Sequence, residues 1–335
     1  MSYAIRVHAL GGPEVLKWEE VEVGDPGPGQ AKVKQYAAGI NYIDVYHRIG
    51  LYPQPLPFIP GSEGAGQVIA VGEGVTDIAV GDRVAYAGVI GGYAEERLIR
   101  ADQLVKLPSD ISYETAAAMM LKGMTVRYLL KETYRVEKGS VILFHAAAGG
   151  VGLLACQWAS YKGATIIGTV GSEEKARIAK ANGCTHTVNY RTEDFAERVK
   201  EITGGRGVDV AYDSVGKDTF PKTLDCLKPR GLWVSFGNAS GAVPPFELSI
   251  LAQKGSLFAT RPTLFHYIST RAALLENAGD VLDMVRLGRV KIQVAKTYPM
   301  SEAAQAHRDL ESRATAGSLA LLADYAERRI PTAHS

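Results

Sequence analysis

The stretch that most constrains this chain is Val141-Ile142-Leu143-Phe144-His145-Ala146-Ala147-Ala148-Gly149-Gly150-Val151-Gly152, which continues as Leu153-Leu154-Ala155-Cys156-Gln157-Trp158-Ala159. A short run of apolar β-formers passes into small residues and then into an apolar pattern of helical period, giving the order strand, tight turn, helix. Ala147, Gly149 and Gly152 fall at the three small-residue positions of a dinucleotide fingerprint carrying one substitution: the turn, the close approach of backbone to a pyrophosphate, and the helix-to-strand contact. The amides of Gly150 and Val151 then face the phosphates from the positive end of the helix. The spacing alone also fits an ordinary tight turn, and its weight comes from the strand before it and the helix after it.

Downstream the same alternation repeats. Strand patterns at Thr165–Val170, His186–Tyr190, Val208–Asp213, Leu232–Phe236 and Leu257–Thr260 are separated by helical patterns at Ser172–Asn182, Glu193–Thr203 and Thr219–Leu227, which predicts a doubly wound parallel sheet. Upstream the chain is β-rich and broken by glycine turns, as at Gly72–Gly74 and Gly81-Asp82, and predicts a compact, barrel-like antiparallel unit. Within it Asn41–Tyr52 is a brief helical stretch stopped by Gly50 and followed by Pro53, Pro55, Pro57 and Pro60, an aromatic and polar segment suited to walling a site. Tyr113–Leu130 has helical spacing. The tail is predicted as a helix from Leu264 to near Gly288, a strand at Lys291–Ala295, a helix at Glu302–Leu310 and an apolar Leu319–Leu322. At 335 residues, two domains are expected, one of them assembled from both ends of the chain.

Charge narrows the partners. Lys+Arg 37 against Asp+Glu 36 leaves +1, which argues against nucleic acid or anionic membrane as the main partner and favours a small neutral one. No apolar run reaches the ~20 residues that span a bilayer, and the N-terminus lacks the order of a signal peptide. Cys156, Cys184 and Cys226 have neither metal-ligand spacing nor an even count. A soluble, cytoplasmic protein with reduced packing cysteines is expected.

The cofactor type is argued from the end of the second strand of the nucleotide fold. An NAD site places an Asp or Glu there to accept from the ribose 2′-hydroxyl. Here the residues are Thr169, Val170, Gly171 and Ser172, with Lys175 one turn into the helix and Tyr190 at the end of the next strand. A cation and a hydroxyl suit a 2′-phosphate, so NADPH is expected. The plainer alternative is a helix start favoured by Glu173 and Glu174, with Lys175 as solvated surface.

Several motifs together carry a wider resemblance. Gly39-Ile40-Asn41-Tyr42-Ile43-Asp44, Pro60-Gly61-Ser62-Glu63, Gly81-Asp82-Arg83-Val84, the Ala146–Gly152 turn, Tyr212-Asp213-Ser214-Val215-Gly216, Ser235-Phe236-Gly237-Asn238, Thr260-Arg261-Pro262 and Leu310-Glu311-Ser312-Arg313 resemble the medium-chain dehydrogenase/reductase superfamily. Within it the chain is similar, over essentially its whole length, to the zinc-free NADPH:quinone oxidoreductase, zeta-crystallin-like branch. The resemblance implies a GroES-like catalytic domain at 1–124, an inserted Rossmann domain at 125–262 and a return to the catalytic domain at 263–335. It implies that Asn41, Tyr46 and Tyr52 line the nicotinamide and quinone end as the catalytic set. It also implies a cofactor-binding set of Asn41, Tyr46, Thr125, Ala148, Gly149, Gly150, Val151, Gly152, Val215, Phe236, Gly237, Asn238, Gly241 and Arg261, with Gly171, Lys175, Tyr190 and Arg313 at the 2′-phosphate. Plainer readings stand beside these: packing aromatics for Tyr46 and Tyr52, a helix N-cap for Asn41, a surface cation for Arg313.

Zinc alcohol dehydrogenases need Cys and His ligands where this chain has Asn41 and Ser62, and the four-cysteine structural lobe is missing, so no zinc site is expected. His145, His186, His266 and His307 are scattered and read as structural. Oxidising an alcohol removes a proton from a weak acid resembling water, pKa about 15.7, which a metal must lower. Reducing a quinone leaves a phenolate-like product whose pKa, near that of tyrosine at about 10, makes proton uptake from water or a hydroxyl easy, so positioning carries most of the catalysis. The expected activity is an NADPH-dependent quinone reductase. The alternatives are a reductase of activated C=C bonds in enals or enones and a cofactor-binding protein with a non-enzymatic role such as RNA binding. Leu257-Phe258-Ala259, last in the sheet, presents an edge for a homodimer through the nucleotide-binding domain.

Overall fold

The computed structural model describes residues 2–313, 315–323 and 325. Two compact units divide the chain: Met1–Leu121 with Thr270–Ala278 and Ile292–Ser335, and Lys122–Ser269 with Gly279–Lys291. Sequence reasoning places the divisions at 124/125 and 262/263 and does not single out 279–291, which cluster with the nucleotide unit.

The first unit opens with the antiparallel pair β1 (Ser2–Val7) and β2 (Leu16–Val21). Its main sheet is organised on β3 (Gln30–Ile40), which pairs antiparallel with β4 (Glu63–Val71) and, through Gln30–Lys34, with β6 (Glu96–Arg100). β5 (Arg83–Ala87) and the two-residue β7 (Val105–Lys106) extend it. β3 alternates buried and half-buried residues up to Ala37 and is buried throughout from there to Ile40, the change expected when a strand passes from one covered face to two. Gly39 is required in that buried end: a Cβ there would lie 2.2 Å from both Ala117 O and Glu63 Oε1. α1 (Tyr42–Arg48) follows β3 directly, and α2 (Tyr113–Tyr128) follows β7.

In the second unit β8 (Val141–Phe144), α3 (Gly150–Tyr161), β9 (Thr165–Val170), α4 (Glu173–Ala181), β10 (His186–Asn189), α5 (Phe195–Ile202), β11 (Val208–Asp213), β12 (Leu227–Ser235), α6 (Ser249–Gln253) and β13 (Phe258–Thr260) form a wholly parallel sheet and its helices. The strand order β10-β9-β8-β11-β12-β13 reverses direction at β8, the switch point at which such sheets bind nucleotides. Leu143, Ile167, Val188, Val199, Val208, Ala211 and Trp233 close one of its cores.

Two expectations fail here. Thr219–Leu227 is not a helix; after a turn it holds only a tight 3-10 segment, Lys222–Cys226, because Pro221 lacks the backbone donor an α-helix needs mid-segment. The helix expected from Leu264 to Gly288 is two, α7 (Leu264–Tyr267) and α8 (Arg271–Arg286), since Thr270 starts a new one by accepting from Ala273 N at 3.2 Å through its hydroxyl.

The chain then returns to the first unit as β14 (Val294–Pro299), displaced from the predicted Lys291–Ala295, then α9 (Ala303–Glu311) and β15 (Ser318–Leu322). β15 pairs parallel with β14 and antiparallel with the end of β3. The resulting core mixes both ends of the sequence, with Ile5, Val7, Ile40 and Tyr93 against Tyr298, Met300, Ala306 and Leu321.

Candidate active site

The start of α3 differs from those of its neighbours. α4 is capped by Ser172, whose hydroxyl accepts from Lys175 N, and α5 by Asp194, which accepts from Ala196 N and Glu197 N; both carry acids in the first turn. α3 has Gly149 at its N-cap with no side-chain cap among the described residues and no acid in its first turn. Its first amides, including those of Gly150 and Val151, therefore keep an electropositive end suited to an anion. The two later glycines of the fingerprint are small for different reasons. A Cβ on Gly152 would meet Ala146 O at 2.4 Å and Ala147 C at 2.7 Å, so the protein's own backbone excludes it. A Cβ on Gly149 would have only Ala146 O nearby, at 3.2 Å, so the open space in front of it is left for something outside the chain. Ala146 itself takes the left-handed region at φ 55, turning the chain out of β8, and Ala148 is buried behind the loop. These residues fit a pyrophosphate.

At the end of β9 two of the expected 2′-phosphate residues, Gly171 and Tyr190, are in contact. A Cβ on Gly171 would stand 2.7 Å from the Tyr190 hydroxyl, and Tyr190 N donates to Val170 O at 3.1 Å, laying this 46% exposed ring over the strand end. Lys175 is one turn into α4, behind Ser172.

The loops after β11 and β12 hold the remaining nucleotide-unit residues. Buried Asp213 accepts from Val215 N at 2.9 Å and Gly216 N at 3.1 Å with one oxygen, and from Thr219 Oγ1 at 2.8 Å with the other. The second loop docks on the first through Ala239 N to Ser214 O and Ser240 N to Val215 O, and a Cβ on Gly237 would lie 2.6 Å from Ser214 O. Val215, Phe236, Gly237, Asn238 and Gly241 are thus held in one pair of loops at the switch-point end of the sheet. Arg261 ties β13 to it by donating to Ser235 O at 2.8 Å and, with the Asn238 amide oxygen turned toward it, to Asn238 at 3.1 Å. Thr125 is half-buried on α2. Sequence reasoning quoted Asp213 only as part of a motif; the signal that it shapes the loops was its place at a strand end immediately before Ser214-Val215-Gly216.

In the first unit the expected catalytic set lies on α1 and its flanks: Asn41 at its N-cap, Tyr46 within it and Tyr52 in the segment that follows. Tyr46 and Tyr52 meet edge to face with ring centroids 5.3 Å apart and an interplanar angle of 72°, and Tyr52 N donates to Tyr46 O. Asn41 is the N-cap of α1, as its plainer reading has it, yet its side chain does more: Nδ2 donates to Glu63 Oε1 at 2.8 Å while its backbone N donates to Asp44 Oδ2 at 2.9 Å. Since a carboxylate only accepts, Glu63 fixes which end of the Asn41 amide faces it. Glu63 Oε2 also accepts from Leu121 N at 2.8 Å. Ser62 donates to Asp44 Oδ1 at 2.6 Å. Burial pushes the Asp44 carboxyl up to about 6 even though the hydrogen bonds from Ser62 and Asn41 pull it down, and the neighbouring Glu63 charge adds to the rise.

Behind Asp44 a chain of hydrogen bonds runs one way. Arg48, 1% exposed, pairs in a bidentate fashion with Glu311 at 2.8 and 2.9 Å and reaches His307 Nδ1 at 3.0 Å. A guanidinium only donates, so Nδ1 accepts and the His307 proton sits on Nε2, 3.2 Å from the Tyr93 hydroxyl, which donates on to Asp44 at 3.2 Å. Burial, with Arg48 adjacent, drives the His307 pKa down to about 3, so the ring is neutral. α1 and α9 are locked together, with Tyr42 Oη donating to Leu310 O at 3.1 Å. Arg313 lies exposed just past α9 in the left-handed region at φ 55. The Asp44–Tyr93–His307–Arg48 connection was not anticipated, because its members are up to 263 positions apart.

Among the described residues no group of three or more His, Cys, Asp or Glu side chains is placed to hold a metal ion, and no helix is long and apolar enough to cross a membrane. A six-stranded parallel nucleotide sheet combined with an antiparallel unit that begins and ends the chain is the build of a pyridine-nucleotide dehydrogenase or reductase. The chain belongs to the medium-chain dehydrogenase/reductase superfamily: residues 27–109 match the alcohol dehydrogenase GroES-like domain and 150–283 the zinc-binding dehydrogenase family. It is 51% identical over 324 residues to the quinone oxidoreductase of Pseudomonas aeruginosa, covering 96% of this chain and 100% of that one. Over 331 residues it is 49% identical to a 2-haloacrylate reductase of a Burkholderia species, covering 96% and 99%. A solved structure of Escherichia coli quinone oxidoreductase complexed with NADPH matches with TM-score 0.94 at 52% identity, covering 96% of this chain and 99% of that one.

Proposed function

We infer that this chain is an NADPH-dependent quinone reductase. The observation that carries the reading is the uncapped start of α3 beside a β9 end that offers Tyr190 and Lys175 and no carboxylate; relatives at about half identity bear names of the same activity. When bound, NADPH supplies a hydride from C4 of its nicotinamide. We assign the pyrophosphate to Ala148, Gly149, Gly150, Val151 and Gly152, and the 2′-phosphate to Gly171, Lys175, Tyr190 and Arg313. Val215, the Phe236–Gly241 loop with Gly237 and Asn238, Arg261 and Thr125 are assigned to the rest of the cofactor. Asn41, its amide set by Glu63, orients the reacting groups, while Tyr46 and Tyr52 form an aromatic wall. No residue is assigned as obligatory acid, because the phenolate-like product, with a pKa of about 10, readily takes a proton from water or a hydroxyl. We propose a catalytic domain, 1–124 and 263–335, split around a nucleotide domain at 125–262; the compact units divide instead after Leu121 and Ser269, with 279–291 clustering with the nucleotide unit.

The likeness to a 2-haloacrylate reductase favours a second reading, reduction of an activated C=C bond, which the same metal-independent positioning serves. NADPH consumption on a panel of benzoquinone, naphthoquinone, an enone and 2-chloroacrylate separates the two: turnover of the quinones well above that of the alkenes supports the first, and the reverse order overturns it. RNA binding has less support, given the net charge of +1. We further propose a cytoplasmic protein, consistent with three free, buried cysteines, that dimerises through β13, where Phe258 is 60% exposed on the sheet edge. Light scattering showing a concentration-independent monomer would end the dimer proposal.

A further inference from the structure

Nothing in its sequence context distinguishes Arg191 from a solvated surface cation. It lies in the loop between β10 and α5, and its backbone is fixed: Arg191 N donates to Asn189 Oδ1 at 3.2 Å, and Thr192 N and Glu193 N bond Asn189 O. Its guanidinium is not held in this way. Among the described residues it makes no hydrogen bond or ion pair, and it is exposed. The carboxylates nearest in sequence are engaged elsewhere. Glu193 accepts from Asn189 N at 2.8 Å with one oxygen and pairs with Arg198 Nε at 2.9 Å through the other, and Glu173 faces Asn189 Nδ2 at 3.4 Å. Arg198, on α5, is by contrast paired twice, to Glu193 and Glu201.

The position of this cation is specific. The point that a Cβ on Gly171 would occupy is 2.7 Å from the Tyr190 hydroxyl and 3.6 Å from Arg191 Nε. A hydroxyl donor and a guanidinium therefore flank the same spot at the end of β9, and the absent side chain at Gly171 is what lets the Tyr190 hydroxyl come this close to the strand end. A planar fork of donors matches two phosphate oxygens at once, as a lysine ammonium cannot.

We propose that Arg191 is a further specificity-determining residue, whose guanidinium takes the cofactor's 2′-phosphate together with Tyr190 and Lys175. This rests on the reading above that the adenosine ribose lies at the end of β9.

The test is equilibrium binding of NADPH and NADH to the full chain by isothermal titration calorimetry, comparing the wild type with Arg191→Ala, Arg191→Lys, Lys175→Ala and Tyr190→Phe. Losing a hydrogen bond to a charged group at an exposed site corresponds to about a tenfold rise in the NADPH dissociation constant, with NADH moved less than about twofold. Arg191→Lys, which keeps the charge and loses the fork, falls between. Because Arg191 is exposed, the melting temperature of each Arg191 variant stays at the wild-type value. If Arg191→Ala weakens both cofactors equally, the side chain stacks on adenine or supports the loop, and the proposal is overturned; unchanged NADPH affinity overturns it as well. Should Lys175→Ala and Tyr190→Phe shift the NADPH/NADH ratio while Arg191→Ala does not, only the role of Arg191 fails. If none of the variants shifts the ratio, the placement of the phosphate is wrong.

Discussion

Gly149 and Gly152 are three positions apart in one turn, yet the structure gives them separable roles. An alanine at 152 puts its Cβ 2.4 Å from Ala146 O and 2.7 Å from Ala147 C and O, all backbone atoms at the join of β8 and α3. Nothing flexible is available to yield, so the cost falls at the upper end of the overpacking range, ~3 kcal/mol. At ~2–4 °C per kcal/mol for a unit of this size, Gly152→Ala lowers the melting temperature by roughly 6–12 °C. An alanine at 149 meets only Ala146 O at 3.2 Å, and its φ of -77° suits any residue. Its cost is that of a poorer N-cap, up to ~1 kcal/mol or about 4 °C. The same methyl projects into the space assigned to the pyrophosphate. Displacing a charge-assisted contact there weakens NADPH about tenfold to a hundredfold. Differential scanning calorimetry and NADPH titration on the two variants form the assay. Unchanged NADPH affinity in Gly149→Ala, or a melting loss equal to that of Gly152→Ala, would refute the division of labour.

Three further outcomes are expected. Tyr52→Ala raises the Michaelis constant for naphthoquinone more than for benzoquinone, since the larger ring loses more of its contact with the wall; equal effects make Tyr52 purely structural. Treatment with a strong chelator leaves turnover unchanged, because Asn41 and Ser62 are committed to Glu63 and Asp44 rather than to a metal; a chelator-sensitive rate with one zinc per chain contradicts this. The third concerns pH. His307, lowered from 6.5 to about 3, contributes stability that is present above 6.5 and lost as pH falls toward 3, whereas Asp44, raised from 3.8 to about 6, contributes stability that is present below 3.8 and lost as pH rises through 6. The two oppose each other between pH 4 and 6. His307→Gln removes the acid-labile part, so melting temperature measured from pH 6.5 down to 4 falls less than in the wild type; an unchanged slope shows that the ring is not the group responsible.

Local signals carried the nucleotide unit. The run Val141–Phe144, the small residues after it and the repeated alternation of strand and helix are short-range patterns, and the parallel sheet follows from them. The readings went astray where a single residue overrides a periodic pattern, at Pro221, which removes a donor, and at Thr270, whose hydroxyl begins a second helix. Of the candidate site, Asn41, Tyr46 and Tyr52 fall within one stretch of twelve residues, so their closeness is legible in the sequence. The support beneath them is not: Asp44 is three residues from Asn41, but Ser62, Tyr93 and His307 reach it only through folding. Arg191 escaped notice because an exposed arginine in a loop looks like any solvated cation until Gly171 and Tyr190 are seen beside it.

The pairing of β15 with β3 has a consequence for how the protein is made. Leu319 sits opposite Ile40, so about 280 residues are synthesised between the two partners, which at ~5–20 residues per second takes roughly 14–56 s. Over that interval Ala37–Ile40 keeps one edge unpaired, and by its end every strand of the nucleotide sheet has emerged. The nucleotide unit can close first. The unit that holds Asn41 and Tyr46 must wait for the last strand, and in the meantime its nascent edge is the part of the chain most open to mispairing with another copy or to a chaperone that shields β-strand edges.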